Sequence, residues 1–559
     1  MRPIFLDVPL PGMDIWDLWY KRFIDREIFI SSGFAVGSSN PEGVKPQSRL
    51  FSKYFVHGNV DYVGRCVRYT KLNSKEIVNT TFKARLEQKG ISIPSEYRRA
   101  QLNLDAGFKS ISKYDKAQPQ LDEAAWELSG EWTKMHFGPY MNGSRVITEE
   151  TAVKECKKHT SCGYPWSLKF KDKDEFLNDV VAAEALAAYW ELIKTGNTSD
   201  TYVPIWTCSE KGELRTLEKL SENKIRTFTA SPIEHSIACN RLCLDMNNRF
   251  YRSNGKHWSY VGANKYLQGW DQLYRRLTKH PNGFELDESE YDSSIFAKAM
   301  FGLADIRWSF LRLEDRTEEN NNRLDAVYES IVHSVIVLEN GELIRKHTGN
   351  PSGSANTIVD NTLVLFRLFA YAWIILANAK YGKSNEHVKW LARGADIVDR
   401  DFGAKFGTYQ DFMAHIEAAL NGDDNTFTTS DQVVGWFNPT TIGEVWTGIG
   451  VTTKTPCDTP RPVSELKFLS NKFTLSTSGL YLPCPDSDRV LCSLMYGSKV
   501  DDVRWHLLRA CALRIDSWPN IETRNIIQDY IEHLNLEYGD QMVGDVSVGK
   551  AVITMNEIR

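Results

Sequence analysis

The sequence predicts an α+β protein in which a small sheet carries chemistry at its strand ends and helices cover one of its faces. Three observations lead there. Two short apolar stretches each run into a cluster of acids, at 283–292 and at 418–425. Helical periodicity extends over 176–194, 296–336 and 353–379. The chain has 559 residues, 42% hydrophobic and 25% charged, the proportions of a globular protein and not of a disordered or low-complexity one. At roughly 100–200 residues per domain, that length implies about three domains or one multi-lobed enzyme.

Each element has its own signal. Residues 31–48 hold five Ser, three Gly and two Pro, a connection and not packed structure. The helix over 176–194 is stopped by Thr195-Gly196. Residues 283–286 are a short apolar strand, and 296–336 are helical with a polar break at 318–323. A second long helix follows Ser352-Gly353 and contains the longest apolar run, 363–377, with Arg367 inside it. A membrane span needs roughly 20 clean apolar residues, so a buried helix is expected and no transmembrane segment. Beyond 476 the chain is expected to be mostly helical, with Pro519 in a first helical turn.

Other classes are set aside on composition. Met1-Arg2-Pro3 leads into no signal-peptide pattern. None of the ten cysteines forms a CxxC pair, so reduced, buried thiols are expected ahead of a zinc site. Net charge is -5, which by itself argues mildly against a polyanionic partner. The distribution says otherwise, since 45–116 carries fifteen Lys and Arg against six Asp and Glu. Cations facing phosphates would set the salt dependence of binding.

Four motifs carry chemistry. The first is the acidic string Asp287-Glu-Ser-Glu-Tyr-Asp292 just after a strand, and the second is Gly422-Asp423-Asp424. Gly422 permits a tight turn between strands at 417–420 and 426–428. Adjacent strands ending in acids would bring Asp287 and Asp423 together, where they repel unless a cation lies between them. Oxygen ligands select Mg²⁺ or Mn²⁺, and two such ions about 4 Å apart clamp an in-line phosphoryl transfer. Either cluster alone is more often a solvated turn; together, and with the motifs that follow, they favour a metal site.

The third motif is GNPSGSANTIVDN at 349–361. A Ser352-Gly353 turn opening a helix presents N–H groups and hydroxyls to anions or sugars, and Thr357 and Asn361 share one helical face. A polar helix cap accounts for Ser352 but not for the whole string. The fourth is 211–233, where Lys211, Arg215, Lys219, Lys224 and Arg226 lie among Glu213, Glu218 and Glu222. An ion-paired surface is the plain alternative. Ile-Arg-Thr-Phe-Thr alternates like a strand, which would aim Arg226 and Lys224 at one face, and a guanidinium fork suits a triphosphate.

In order and spacing, these motifs resemble the RNA-dependent RNA polymerases of positive-strand RNA viruses, over roughly 155–475. NKIRTFTASPIEHSIACNRLCLDMNNRFY at 223–251, Asp292-Ser-Ser, and GNPSGSANTIVDNTLVLF followed by NGDD are similar to the potyvirus-like replicases, the large nuclear-inclusion protein. Thr160-Ser161-Cys-Gly163-Tyr164-Pro165-Trp is similar to the template-entry motif of picornavirus-, calicivirus- and astrovirus-like polymerases. The resemblance implies a right-hand fold closed by fingertips. Fingers would span 1–245 and 325–350, a palm with a small antiparallel sheet 246–324 and 351–475, and a helical thumb 476–559.

It also implies roles. Asp287 and Asp423 would ligate two Mg²⁺ or Mn²⁺ ions, supported by Asp424. Asp292, Ser352 and Asn361 would form the relay that senses the ribose 2′-hydroxyl, with Thr357 positioning Asp292 or the nucleotide and Gly353 letting the loop flex. Lys211, Lys219, Lys224 and Arg226 would line the triphosphate path, with Arg215 a weaker member. Lys454 would protonate the leaving pyrophosphate, a plain surface lysine being the alternative. LKFLSNKF at 466–473 resembles a primer-grip hairpin. Expected partners are template and product RNA, NTPs, a genome-linked viral protein as primer and other viral replication proteins. The expected location is membrane-associated complexes in the host cytoplasm, with a nuclear pool by analogy with potyvirus-like relatives. A reverse transcriptase, a two-metal nuclease and a degenerate RNA-binding scaffold are the alternatives. The bulky steric gate usual in a reverse transcriptase is missing where Asp292 lies. A nuclease leaves the SGxxxTxxxN helix and the 211–226 cations unexplained, and the intact acids argue against a scaffold.

Overall fold

A computed structural model describes residues 48–551 apart from 67–71, 73–75, 197–202, 383–405, 455–458, 498–500, 543–544 and 546. The Ser/Gly-rich stretch at 31–48, Ser48 excepted, lies outside the described residues, as does Cys457. The other nine cysteines are free thiols, and all but Cys156 and Cys484 are buried.

The largest sheet has five strands in the order Val60–Arg65, Glu342–Lys346, Val335–Val337, Ile205–Glu210, Thr227–Ala230. Only the central pairing, Ile205–Glu210 with Val335–Val337, is parallel. The hairpin at 335–346 therefore completes a sheet otherwise built from the first 230 residues. A second sheet of three strands joins Ile416–Asn421, Asp424–Thr429 and Asn282–Phe284, all antiparallel.

Behind this second sheet runs the helix Thr357–Tyr381, buried on nearly every side from Val359 to Ala377. A helix apolar all round has to be enclosed, and this one packs against the helices Glu123–Met141 and Pro439–Gly448 and the strand Ile416–Asn421. It is long and apolar enough to cross a membrane, yet 78% of its most apolar window is buried inside the protein. Arg367 is accommodated there because its guanidinium donates to the Trp126 carbonyl at 2.8 Å and lies 3.9 Å over the Trp126 ring.

The C-terminal helices Ser487–Met495, Val503–Asp516 and Ile521–Met542 form a separate apolar cluster with Phe82 and Leu86 of the helix Thr80–Gln88. Ile77–Val78 pairs antiparallel with Tyr496–Gly497, and Arg85 makes a two-pronged ion pair with Asp529, at 2.7 and 2.8 Å. The amino-terminal and carboxy-terminal regions are thereby joined across the molecule.

Several local expectations change. The helix expected over 176–194 is two, Lys173–Leu177 and Val181–Ile193, because Asn178 turns its side chain back onto the Asp174 carbonyl, at 2.9 Å. The polar segment 318–323 is not a break. It opens the helix Glu318–Val332, capped by Thr317, and the break lies just before it. Beyond 476 the chain first makes the strand Tyr481–Pro485 before turning helical. Pro519 precedes the helix Ile521–Met542 instead of entering its first turn, and Asn520 receives the Thr523 N–H at 3.0 Å.

Candidate active site

The second sheet sets the acids. Phe284 pairs with Phe427, and the apolar stretch at 283–286 ends its ladder there. Beyond it Asn425 takes over: its side chain accepts from the Leu286 N–H at 3.3 Å and donates to the Leu286 carbonyl at 3.2 Å. Asp287 follows close enough to act on the Asp424 carboxyl. The two strands of the hairpin run longer than expected, up to Asn421 opposite Asp424, leaving Gly422 and Asp423 as the turn. Gly422 has φ +69°, the position where a two-residue hairpin turn takes glycine. Its N–H donates to Thr362 Oγ1 at 2.9 Å, and a Cβ there would lie 3.0 Å from Ile358 Cδ1. The long helix thus fixes the acidic turn from behind.

Asp287 and Glu288 form a second, two-stranded ladder with Thr453–Lys454, in which Lys454 lies directly opposite Asp287. Asp287, Asp423 and Asp424 are solvent-accessible, yet Asp423 and Asp424 lie close enough to the surrounding protein for burial to act on them. Burial, then Asp292 and Asp287, raises the Asp423 carboxyl. Asp424 is pushed up to about 6 by burial and by Asp423, although the Leu469 backbone opposes the shift. Leu469 belongs to the hairpin Lys467–Phe468 and Asn471–Leu475, whose turn residues Leu469 and Ser470 both have positive φ, as a type I′ turn requires. Glu288 points inward, is 5% exposed and receives Asn425 Nδ2 at 3.0 Å. Burial, the largest cause, raises its carboxyl well above the usual range. Among the described residues no group of three His, Cys, Asp or Glu side chains is gathered into a metal cage.

Asp292 meets the long helix through Asn361, whose Nδ2 donates to Asp292 Oδ1 at 2.7 Å. Asn361 Oδ1 accepts from Asn350 Nδ2 at 2.8 Å. Ser352 makes no side-chain hydrogen bond among the described residues, so the structural third member of this chain is Asn350 and not Ser352. Thr357 does not reach Asp292: its hydroxyl donates to the Pro351 and Ser354 carbonyls at 2.8 and 2.9 Å, fastening the loop. Gly353 is held by close packing instead of lying in a free loop. Its N–H donates to the Thr229 carbonyl at 2.9 Å, and a Cβ would approach that oxygen to 2.5 Å.

The cations divide. Arg226 precedes the strand Thr227–Ala230, so the expected shared face with Lys224 does not form. Arg226 pairs with Glu213, one contact at 2.7 Å, and feels Asp423 and Asp292. Lys211, lowered chiefly by burial and then by Arg226, also feels Asp292. Lys219, lowered by burial, has Arg215, Lys454 and Asp287 as neighbours. Arg215 lies 3.8 Å from Glu213. Lys224 instead is exposed, ion-paired with Glu222, and has Glu218 and Glu290 as its further charged neighbours.

Of the five template-entry residues, Thr160 and Ser161 face solvent, whereas Gly163, Tyr164 and Pro165 are buried. Their loop is pinned to the helix Ile233–Arg252 by the Ile233 N–H, which donates to the Cys162 carbonyl at 2.9 Å.

The family model for viral RNA-dependent RNA polymerase matches residues 89–535. The chain belongs to this family. The polymerase is 32% identical over 343 residues to genome polyprotein 1 of Barley mild mosaic virus (strain Na1), covering 59% of this chain and 15% of that polyprotein. It is 26% identical over 512 residues to the genome polyprotein of Zucchini yellow mosaic virus (strain Singapore), covering 89% of this chain and 14% of that polyprotein. The polymerase thus spans about one-seventh of these relatives. Its fold matches the Sicinivirus 3Dpol RNA dependent RNA polymerase with a TM-score of 0.65 at 16% identity, covering 84% of this chain and 93% of that one. The right-hand fold and the likeness to potyvirus-like sequences are both borne out.

Sequence reasoning missed Asn350, Thr362, Glu288 and Asn425 as parts of the site. Each lies inside a quoted motif or next to a named residue, but none is distinguished from its neighbours until the backbone turns it inward.

Proposed function

We propose that this polymerase extends an RNA strand on an RNA template by attack of a 3′-hydroxyl on the α-phosphate of an NTP, releasing pyrophosphate. One observation carries the reading: the ends of two strand pairs bring Asp287, Asp423 and Asp424 into mutual repulsion opposite Lys454 and Arg226.

The donor set fits divalent cations, being oxygen only and destabilised by its own charge. Asp287 and Asp423 would hold Mg²⁺ or Mn²⁺, with Asp424 in support. When bound, two such ions supply Lewis acidity to the attacking hydroxyl and to the leaving phosphates. The chain's residues do the rest. Arg226 and Lys211 bind the triphosphate from the Asp292 side, and Lys219 lies nearer Asp287. Lys454, opposite Asp287 in its strand pair, would deliver a proton to pyrophosphate. Asn361 and Asp292 orient the ribose. Thr160 and Ser161 are the template-entry residues left accessible to RNA.

The test is incorporation of labelled NTP on a primed RNA template with and without Mg²⁺. Metal-independent incorporation, or none under any divalent ion, would sink the assignment. We also propose, on family resemblance, a tyrosine-bearing genome-linked viral protein as primer and action with other viral replication proteins in membrane-associated cytoplasmic complexes, with a nuclear pool. Product formed equally without any primer would replace protein priming by de novo initiation.

A further inference from the structure

Asp292 is tied to the 349–361 loop twice, and both ties pass through Asn350. The Asn350 main-chain N–H donates to the Asp292 carbonyl at 2.7 Å. Its side-chain Nδ2 donates to Asn361 Oδ1 at 2.8 Å, and Asn361 Nδ2 donates to Asp292 Oδ1 at 2.7 Å. Asn350 is fully buried and Asn361 is 4% exposed, so water does not compete for either amide.

The direction of this chain matters. The two ends of a carboxamide are nearly the same size, and only hydrogen bonding decides which points where. Asp292, as a carboxylate, can only accept, so it requires the NH₂ of Asn361. Asn350 presents NH₂ to the carbonyl of Asn361, while its own Oδ1 is buried without a hydrogen-bond partner among the described residues. Both contacts select one orientation, and the rotated one would set two acceptors together at one end and two donors at the other. Tyr291 Oη fixes the backbone beneath by donating to the Asn361 carbonyl at 2.9 Å.

The loop bearing Asn350 is itself anchored. Lys346 is completely buried, and its Nζ, with three N–H groups at most to share, lies within hydrogen-bond distance of four carbonyls, those of Ile331, Val332, Thr348 and Gly349, at 2.6 to 2.9 Å. Two of these end the helix Glu318–Val332, where the helix dipole favours a cation. The other two immediately precede Asn350.

We propose that Asn350 is a specificity-determining positioning residue: by holding the Asn361 carboxamide in one orientation, it sets the donor that Asn361, and the acceptor that Asp292, present to the ribose of the incoming nucleotide. This rests on the proposed sugar-sensing role of Asn361 and adds a residue behind it that does not touch the nucleotide.

Asn350→Asp keeps the shape and replaces the donor by an acceptor. It turns the Asn361 amide over and sets its carbonyl against Asp292. The readout is the ratio of kcat/KM for an rNTP and its dNTP on one primed template. Asn361→Ala and the double variant are measured beside it. Asn350→Asp is expected to lower the ratio about tenfold, the equivalent of one buried hydrogen bond near 1.4 kcal/mol. The double variant should be no worse than Asn361→Ala, because residues acting through one another are not additive. Asn350→Leu, which removes the donor without adding charge, should lower the ratio less and covers the case in which the Asp variant does not fold.

If Asn361→Ala lowers the ratio and neither Asn350 variant does, the role of Asn350 is overturned and the relay stands. Unchanged selectivity in Asn361→Ala would overturn the relay, and this inference with it. Equal losses for rNTP and dNTP in the Asn350 variants would reduce Asn350 to a packing residue.

Discussion

Two sets of acids in this molecule are held in opposite ways. Asp360, next to Asn361 in the long helix, is fully buried, and its Oδ1 accepts Arg307 Nε and Nη2 at 2.9 and 2.7 Å. Tyr328 Oη adds a third donor at 3.0 Å. Arg307 is in turn satisfied by Asn247 Oδ1 at 3.0 Å. Asp423 and Asp424 are more accessible, yet the charges that act on them most strongly are other carboxylates, ahead of Arg226 and Arg489. Burial alone therefore does not separate a structural acid from a functional one. What separates them is whether the fold supplies a directly bonded counter-charge, as Arg307 is for Asp360.

The contrast breaks if both acids respond alike to mutation. Asp423→Ala should lower nucleotide incorporation on the order of a thousandfold, about 4 kcal/mol in the barrier, while leaving RNA binding and thermal stability nearly unchanged. Filter binding and a melting curve beside the primer-extension assay check all three, and full extension by this variant refutes the role given to Asp423. Asp360→Ala should do the reverse. Stranding Arg307 in the core costs about 3–5 kcal/mol of stability, seen as a lower urea midpoint, and any activity lost should return on cooling.

Proton linkage sharpens the same contrast. Asp424 is raised from 3.8 to about 6 in the folded protein, so the native state binds the proton more tightly than the unfolded chain does. Its contribution therefore favours folding at low pH and is lost as pH rises from about 4 to 6. Solvent screening limits the effect to about 1 kcal/mol. Asp424→Asn should flatten that part of a stability–pH curve, and Mg²⁺ should raise the melting temperature more at pH 8 than at pH 5. No metal effect at pH 8 would argue that the acids do not share an ion.

The smallest effect belongs to Asp529. Arg85 and Lys89 hold its carboxyl below the usual range, although burial opposes them, so its contribution is present above about pH 4 and is lost as pH falls through the lowered folded value, the opposite sign from Asp424. Asp529→Asn should cost about 1 kcal/mol or less, read by denaturant titration, and leave nucleotide incorporation alone. The pairing also bears on the basic stretch at 45–116. Lys53, Arg65, Arg85, Arg98 and Lys116 are ion-paired with Asp105, Glu342, Asp529, Glu76 and Glu290. Part of the positive excess there stitches the protein together, which limits how much of it can face RNA.

Motif order made the acids, the SG turn and the cation block legible, because glycine turns, strand-ending carboxylates and a helix with a polar start have short-range signatures. The break before Glu318 was not legible, since a polar run looks the same inside a helix as between two. Nor was the separation of Lys224 from Arg226, which depends on where the strand starts and on Glu222 and Glu213 competing for them. Ser352 was read as a relay member from its motif position. The hydrogen bonds instead run through Asn350, two residues earlier, because Lys346 and the Asp292 main chain draw that residue inward.

By itself the sequence determined the chemistry present: oxygen ligands at strand ends, cations suited to phosphate, and a buried helix carrying Asn361. Residue type and local spacing are enough for that. Only the tertiary structure decided which groups meet. Lys454 opposite Asp287, Asn425 bridging Leu286, Thr362 holding Gly422 and Asn350 orienting Asn361 all join residues 11 to 167 positions apart. Such pairings follow from sheet register and packing, which no local pattern encodes.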